Sequence, residues 1–475
     1  MRNWPTADDI FWLVVGLLPF LWVAWRAVSY GRHELVSLGT FGVAIMWVGY
    51  HLKPWLGLPQ SGWTSFLLRE EFVTEGIRYS ALAMIAFILG YAFLAPAGRS
   101  AVRIADLMPR ARVQVVLGLT VITAVLVVIA RGGPSELWAA TLYRGEGQFG
   151  EKDLLGRLQN IVRIASAFVS FVTAGMGALL IVQSHGPAKP HVWIVGFLAI
   201  LSASLGVMSG FSRGAGFAFG LLATVQMLHW RRSRIPLIVA ALVVASWFSW
   251  TGYTQRGVYL PGVSNFVAAL VDARPVASGT GRKGTGWIDP NNNFLDALDP
   301  WTARAWTRER VQPSLWEGMK GAVAVLQPLP SQFVPFNVRA GESLSKWLGT
   351  WGSTGLTTPA LGELYYLLGY PGLVLVAALG LFAGWAQRKF LQGSRNGASV
   401  ILYFATLFGF VLGLHGGLRT MTRPMLYGWA VVVVCALARK VNQPPRRFTN
   451  RHAAKAKLGS WQTLPGRPLV ARRGV

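Results

Sequence analysis

The sequence has little charge, few acids and almost no cysteine. Only 13% of its 475 residues are charged, just 19 are Asp or Glu, and Cys435 is the single cysteine. A soluble globular chain carries about twice this charged fraction, and one cysteine can form neither a disulfide within the chain nor a thiolate metal cluster. The hydrophobic fraction is 53% and the mean hydropathy is +0.42. These values indicate an integral membrane protein.

Apolar segments recur along the whole chain, and about 20 such residues span the hydrocarbon core as a helix. The sequence predicts about 11 (10–12) transmembrane helices, at residues 10–28, 35–52, 79–96, 113–130, 162–183, 192–210, 214–230, 236–253, 365–386, 399–415 and 424–438. The first segment is too long, and its flank too acidic in Asp8 and Asp9, for a cleaved signal peptide. The predicted fold is an all-α polytopic membrane protein that keeps this first helix.

Lys and Arg are concentrated in alternate loops, which marks those loops as cytoplasmic. They occur near 97–112, 231–234 and 388–395, and the tail after residue 438 adds ten without an acid. If the C-terminus is inside, an odd number of helices places the N-terminus outside. Loops and a tail of this kind are attracted by anionic lipids. The net charge of +26 therefore does not imply a nucleic-acid partner.

A large outer loop, residues 254–364, divides the predicted helices. Eight helices precede it in residues 1–253, three follow it in residues 365–438, and residues 439–475 form a basic tail that we expect to be disordered. Trp and Arg in the loop sequence WTARAWTRERVQPSLWEGMKGAVAVL favour short helices lying at the membrane interface.

Motifs for a bound phosphate or metal are incomplete. In GTGRKGTG, Lys283 is followed by Gly284, where a phosphate-binding loop needs Ser or Thr. In DPNNNFLDALDP, Phe294 occupies the position of the glycine that a calcium loop needs. The 7 histidines show no zinc-site spacing. We expect no metal and no cofactor.

Arginines lie at several predicted outer membrane edges. Arg213 lies between two apolar segments, Arg256 follows the eighth, and Arg419 and Arg423 lie between the last two. A single arginine at such a place often only anchors a helix to lipid headgroups. Several arginines on the same outer face of the membrane suit the binding of phosphate oxygens, because each guanidinium keeps its charge and offers a planar fork of donors. We expect this cluster to bind the pyrophosphate of a lipid-linked substrate.

A second candidate site lies in the predicted outer loop at 131–161. Tyr143, Arg144 and Glu146 supply an aromatic ring, a cation and a carboxylate within four residues. This mixture suits the stacking and hydrogen bonding of a sugar, although a solvated loop has a similar composition.

The sequence TTPALGELYYLLGYPGLVLVAALGLFAG, which begins at residue 357, resembles a segment of bacterial oligosaccharide repeat-unit polymerases, the Wzy-type O-antigen and capsule polymerases. The residues that match the family pattern are Thr358, Pro359, Gly362, Glu363, Tyr365, Gly369 and Gly372. The flanking sequence LPSQFVPFNVRAGESLSKWLG, which contains Arg339, also looks like the family's, as do GGLRTMTRP and the mid-chain SRGAG.

The resemblance implies a GT-C-like glycosyltransferase in the bacterial cytoplasmic (inner) membrane with its active site facing the periplasm. A glycan on undecaprenyl pyrophosphate would be transferred to the terminal sugar hydroxyl of another lipid-linked repeat unit. The arginines would stabilise the leaving pyrophosphate, and Glu363 is the candidate general base. Membrane lipids and a chain-length regulator protein are the further implied partners.

Two tyrosines and one histidine complete the expected site. Tyr366 and Tyr370 follow Glu363 by three and seven residues and would share its helical face. Glu363 would then face the arginines across a cavity open to the outside, beside an aromatic wall. His415 lies close to Arg419 in the sequence and is a further candidate for substrate binding.

Several alternatives stay open. An O-antigen ligase has the same fold but commonly carries His where this chain has Glu363. A transporter or flippase would place its site at broken helices near the bilayer midplane. A structural assembly factor would tolerate substitution of Glu363 and the arginines. Glu363 could also be a helix-end charge that interacts with the helix dipole, or could hold an arginine in position.

Overall fold

The computed structural model describes residues 6–31, 34–35, 37–51, 70–95, 112–131, 154–183, 190–208, 216–228, 232–254, 271, 314–326, 360–392, 397–413 and 418–442. Every regular element in these residues is helical, which confirms the all-α class for this part of the chain. The α-helices are α1 (Ala7–Val15), α2 (Leu18–Tyr30), α3 (Leu38–Tyr50), α4 (Glu70–Leu94), α5 (Val113–Arg131), α6 (Leu154–Gln183), α7 (Pro190–Met208), α8 (Phe217–Leu228), α9 (Ile235–Thr254), α10 (Leu315–Leu326), α11 (Ala360–Leu368), α12 (Gly372–Gln392), α13 (Gly397–Gly413) and α14 (Leu418–Asn442).

The helices have the apolar surface of a membrane protein. Five stretches are long and apolar enough to cross a bilayer, namely Ala7–Tyr30, Thr74–Leu94, Val113–Ala130, Ala165–Gln183 and Gly372–Leu391. Large apolar side chains such as Val28, Phe93 and Val374 are exposed on their surfaces. Such side chains suit contact with lipid and not with water. The described helices therefore support the prediction of a membrane protein.

Small residues allow α4 and α12 to pack backbone against backbone. The two helices run in parallel, with Tyr79 beside Gly372 at one end and Tyr91 beside Gly384 further along. A Cβ atom at Gly384 would lie 2.5 Å from the carbonyl oxygen of Tyr91. Gly380 and Gly384 form a Gly-x-x-x-Gly pair, the spacing that brings membrane helices into close contact. This interface positions the start of α12, and hence the end of α11.

The first membrane-crossing stretch is broken between α1 and α2. Gly16 lies at the break, and a Cβ atom there would be 2.5 Å from the imidazole of His51. That imidazole is fully buried, and its Nε2 lies 2.7 Å from the hydroxyl of Ser80 on α4. The end of α3 therefore packs into the break.

A buried ion pair joins α2 to the segment before α3. Arg26 and Glu34 are each about 4% exposed, and the guanidinium donates two hydrogen bonds to the carboxylate, at 3.1 and 3.0 Å. The guanidinium carbon also lies over the rings of Trp22 and Tyr30, at 5.0 and 4.8 Å. The charges are thus compensated inside the fold.

The described helix bundle has two chemically different ends. Near one end, which we call the Glu363 end, α1, α4, α12 and α14 begin and α13 finishes. The opposite end, which we call the basic end, includes Arg234, whose guanidinium donates to the carbonyl oxygen of Val182 at the end of α6 (2.9 Å). The basic residues there are Arg112, Arg232, Arg234, Arg388 and Lys389. The described residues of the three predicted cytoplasmic loops therefore share one end.

Several helix boundaries differ from the apolar segments in the sequence. The predicted run at 365–386 is two helices, because Gly369 adopts a φ of 64° and ends α11 before α12 begins. Helix α4 begins at Glu70, although the predicted segment begins at residue 79. Helix α14 covers Leu418–Asn442 and includes Pro424, so it extends into the segment predicted as a disordered tail.

Within the predicted outer loop, the structure describes Thr254 at the end of α9, α10 and the residues 360–364 of α11, together with residues 271 and 314. Helix α10 packs on α11, where a Cβ atom at Gly321 would lie 2.7 Å from the side chain of Leu367. Its other side exposes Leu315, Trp316 and Val323. This amphipathic helix fits the prediction of short interfacial helices.

Candidate functional site

A short, fully buried helix forms the centre of the candidate site. All nine residues of α11 are buried, and the helix packs against α4, α10, α12 and α14. Its first turn is held by α3, because the backbone N–H of Leu361 donates to the hydroxyl of Tyr50 at 3.4 Å. Helix α11 therefore presents its side chains to several neighbouring helices at the Glu363 end.

The carboxylate of Glu363 lies at the beginning of α14. Its Oε2 accepts a hydrogen bond of 2.6 Å from the backbone N–H of Leu418, the first residue of that helix. The first N–H groups of a helix have no partner within the helix, and its N-terminus carries partial positive charge. A hydrogen bond from an N–H group to a carboxylate contributes about 1.5–3 kcal/mol. Glu363 therefore satisfies and stabilises the start of α14.

The structure places two predicted arginines on the helix that Glu363 contacts. Arg419 directly follows Leu418, and Arg423 lies four residues further along α14, or about 6 Å along the axis at 1.5 Å per residue. Arg423 is half-buried. The expected proximity of Glu363 to this pair is therefore seen at the level of the backbone.

Within the part of the chain that the structure describes, the expected open cavity at Glu363 is not seen. Glu363 is 8% exposed and Tyr366 is 5% exposed. The carboxylate is buried because it is bonded to the end of α14, and Tyr366 is buried with the rest of α11. Neither side chain forms a wall open to solvent.

The other predicted site residues lie outside the described part of the chain. They are Tyr143, Arg144, Glu146, Arg213, Arg256, Arg339 and His415.

An apolar cleft adjoins the start of α11. The cleft is narrow, with a cavity volume of ≈ 30 Å³, well below that of a small-molecule site. Ala360 and Leu361 line one side and Met421 of α14 lines another. The further lining residues are Gly42, Ile45, Met46, Tyr50, Phe87, Val376, Leu379, Phe410 and Gly413. The lining is apolar and lies next to Glu363 and the arginine-bearing helix, but the cleft would have to widen to admit a hydrocarbon chain.

A polar cluster on the other side of α11 was not predicted from the sequence. We call it the Glu75 cluster, and its members are Asp8, Glu75, Arg78, Tyr365 and Tyr370. The Glu75 carboxylate accepts hydrogen bonds from both tyrosine hydroxyls, at 3.0 Å from Tyr365 and 2.6 Å from Tyr370. Arg78 lies 3.4 Å from Glu75 and 3.2 Å from Asp8. The cluster thus joins α1, α4 and the turn between α11 and α12.

The prediction that Tyr370 shares a helical face with Glu363 is wrong. Helix α11 ends at Leu368, and the positive φ of Gly369 turns the chain so that Tyr370 meets Glu75. Burial and the neighbouring Glu75 raise the pKa of Tyr370 to about 12, so its hydroxyl remains a donor at neutral pH. The Gly-Tyr-Pro-Gly sequence was the available signal, because a glycine followed closely by proline is typical of a helix C-terminus.

The described residues contain no group of three or more His, Cys, Asp or Glu side chains that could hold a metal ion. Glu363, α14 and the cleft thus supply a carboxylate, cationic residues and an apolar surface within this part of the chain.

Comparison with known proteins gave no relative. No protein-family model matches the sequence, and no curated protein or solved structure matches it either.

Proposed function

We propose that this protein polymerises undecaprenyl-pyrophosphate-linked oligosaccharide repeat units at the outer face of the bacterial cytoplasmic membrane. The observation that carries the proposal is the position of Glu363. Its carboxylate binds the first N–H of the helix that carries Arg419 and Arg423, and both lie beside an apolar cleft. A lipid-linked glycan has the matching chemistry, since it combines a hydrocarbon chain, a pyrophosphate and sugar hydroxyls.

The proposal includes a GT-C-like topology of about 11 membrane crossings with the N-terminus outside. The directions of two helix pairs agree with this topology. Phe171 of α6 stacks on Phe408 of α13 (4.3 Å), and these two helices run in opposite directions, whereas α4 and α12 run in parallel. The shared basic end supports a cytoplasmic location for that end. The Glu363 end, and the large loop at 254–364, would then face the periplasm.

The proposed reaction is a glycosyl transfer. The terminal hydroxyl oxygen of the acceptor forms a bond to the anomeric carbon of the donor, and the bond from that carbon to the pyrophosphate oxygen breaks. The pyrophosphate leaves with the electron pair, and arginines stabilise its negative charge. The hydroxyl proton passes to Glu363 as general base.

Each group of predicted residues has a place in this proposal. Arg213, Arg256, Arg419 and Arg423 bind the pyrophosphate, and Tyr143, Arg144, Arg339, Tyr366 and His415 contribute to binding the glycan. The apolar cleft widens to receive part of the lipid chain. The hydrogen bond to Leu418 gives Glu363 a second role, because it fixes the start of the helix that carries two of the arginines.

The glycan profile of a gene-deletion strain tests the proposal. A polymerase predicts that single repeat units still cap the membrane lipid while longer chains disappear, and that the wild-type gene restores them. Full-length chains retained on the polyprenyl carrier would instead indicate a ligase. Lipid-linked repeat units retained on the cytoplasmic side would indicate a flippase.

A further inference from the structure

The Glu75 cluster is not used by the proposed reaction, yet it remains accessible at the Glu363 end. The side chains of Asp8, Arg78 and Glu75 are 50%, 37% and 25% exposed, and Tyr370 is 38% exposed. Ion pairs exposed to this degree contribute little to stability, so holding the helices together does not account for the cluster. Its partial exposure leaves polar groups and a ring available to a ligand.

The cluster combines aromatic rings with charged hydrogen-bonding groups. Tyr79 lies edge-on to Tyr365 and Tyr370, at 4.7 and 5.9 Å between ring centroids, so the exposed ring of Tyr370 is held in place by its neighbours. The Arg78 guanidinium lies over Trp12, at 5.4 Å. A rigid ring suits the apolar face of a sugar, while carboxylates and a guanidinium suit its hydroxyls.

The charges within the cluster do not cancel. Asp8 and Glu75 carry two negative charges, whereas Arg78 carries one positive charge. This balance disfavours an anionic ligand and tolerates a neutral one.

The cluster also lies close to the proposed reaction centre. Tyr365 follows Glu363 by two residues on α11, but Tyr365 contacts α4 while Glu363 contacts α14. The two sites are therefore separated by about the width of one helix, roughly 10–12 Å with side chains. A glycan that reached Glu363 could extend over the Glu75 cluster.

We propose that the Glu75 cluster is a binding subsite for a neutral, hydroxyl-rich sugar of the glycan chain, with Tyr370 as its stacking platform. This inference rests on the proposed function, since it assigns part of the same substrate to the neighbouring surface. It adds that the sugar bound there is uncharged.

Binding of soluble trisaccharides tests the subsite without a lipid-linked donor. The full-length protein in lipid nanodiscs, free of glycoside detergents, is titrated with maltotriose, mannotriose and chitotriose, and separately with trigalacturonate, by saturation-transfer difference NMR. We expect at least one neutral trisaccharide to bind at least about tenfold more tightly than trigalacturonate. Absence of neutral-sugar binding, or equal binding of the acidic trisaccharide, would overturn the proposal.

Variants of the cluster locate the binding. Tyr370→Ala is expected to weaken neutral-sugar binding at least about tenfold, and Tyr370→Phe, which keeps the ring, to weaken it less. Phe93→Ala is the matched control, because Phe93 is an exposed aromatic residue (81%) near the basic end. Equal losses in Tyr370→Ala and Phe93→Ala would contradict the assignment.

Asp8→Asn tests the charge argument with little risk to folding, since the Asp8 side chain is half-exposed. The variant is expected to reduce the discrimination against trigalacturonate severalfold while neutral-sugar binding persists. Unchanged discrimination would refute the argument that the net negative charge of the cluster excludes acidic sugars. Sugar binding that persists in a protein unable to elongate lipid-linked glycan would reject the polymerase function and keep the subsite. Elongation of lipid-linked glycan by a protein that binds no soluble sugar would reject the subsite and keep the polymerase function.

Discussion

Replacing Gly384 by alanine should separate two helices that now touch through their backbones. The added Cβ atom would lie 2.5 Å from the carbonyl oxygen of Tyr91 and 3.1 Å from the backbone nitrogen of Ala95. Ordinary contact begins at 3.4 Å, so the carbonyl and the new methyl group must move apart by about 0.9 Å. Because the obstructing atoms belong to the backbone of α4, no side-chain rotation relieves the clash.

The expected cost of Gly384→Ala follows from two opposing effects. Overpacking a well-packed interior costs about 1–3 kcal/mol, and alanine recovers about 0.8–1.0 kcal/mol over glycine through helix propensity. A rigid backbone contact belongs at the upper end of the first range, so we expect a net destabilisation of about 2 kcal/mol.

Gly118→Ala is the matched control for this substitution. A Cβ atom at Gly118 in the middle of α5 would meet nothing within 4 Å, so the control should gain stability from helix propensity. Thermal unfolding of the purified proteins, followed by tryptophan fluorescence, should therefore shift in opposite directions. A Gly384→Ala protein that unfolds at or above the temperature of Gly118→Ala would refute the close packing of α4 and α12.

Three further predictions concern other parts of the molecule. Arg26→Ala leaves the buried Glu34 uncompensated and should lower the free energy of unfolding by about 3–5 kcal/mol, as measured by denaturation. The Arg26→Ala/Glu34→Ala protein should lose less of this free energy, and an equal or larger loss would contradict the pairing. Arg423→Lys should fold but elongate glycan more slowly than wild type, since lysine lacks the bidentate fork. An unchanged rate of elongation would mean that Arg423 only anchors its helix to lipid headgroups. Reporter tags near residues 233 and 392 should report cytoplasm and a tag near residue 290 the periplasm, and a cytoplasmic signal at 290 would contradict the topology.

The apolar segments in the sequence predicted where helices lie but not where they end. Helix α4 begins nine residues before its apolar segment because its first turns carry Glu70, Glu75 and Arg78, which lower the local hydropathy without breaking the helix. Helix α14 begins before Pro424, a residue that hydropathy and helix propensity both treat as a boundary, although membrane helices tolerate proline when neighbours satisfy the freed backbone groups.

The sequence predicted only some of the residues of the site, because the contacts between them form in the folded chain. Glu363 was singled out by its position in a motif, but its partner is the backbone N–H of Leu418, and a backbone group has no sequence signature. Asp8 and Glu75 lie far from Tyr370 in the chain, so their association depends on the packing of α1 and α4 against the turn after α11. Long-range packing of this kind cannot be derived from local patterns.

Elongation of a defined lipid-linked repeat unit by purified Glu363→Gln protein tests the central claim most directly. Glutamine keeps an oxygen that can accept the N–H of Leu418, so the start of α14 should remain fixed, but it cannot take a proton from a sugar hydroxyl. The account predicts a folded protein that still binds the lipid-linked substrate and elongates it about 10²–10⁴-fold more slowly than wild type. Near-normal elongation by the glutamine variant would contradict the account and leave Glu363 as a helix-end residue.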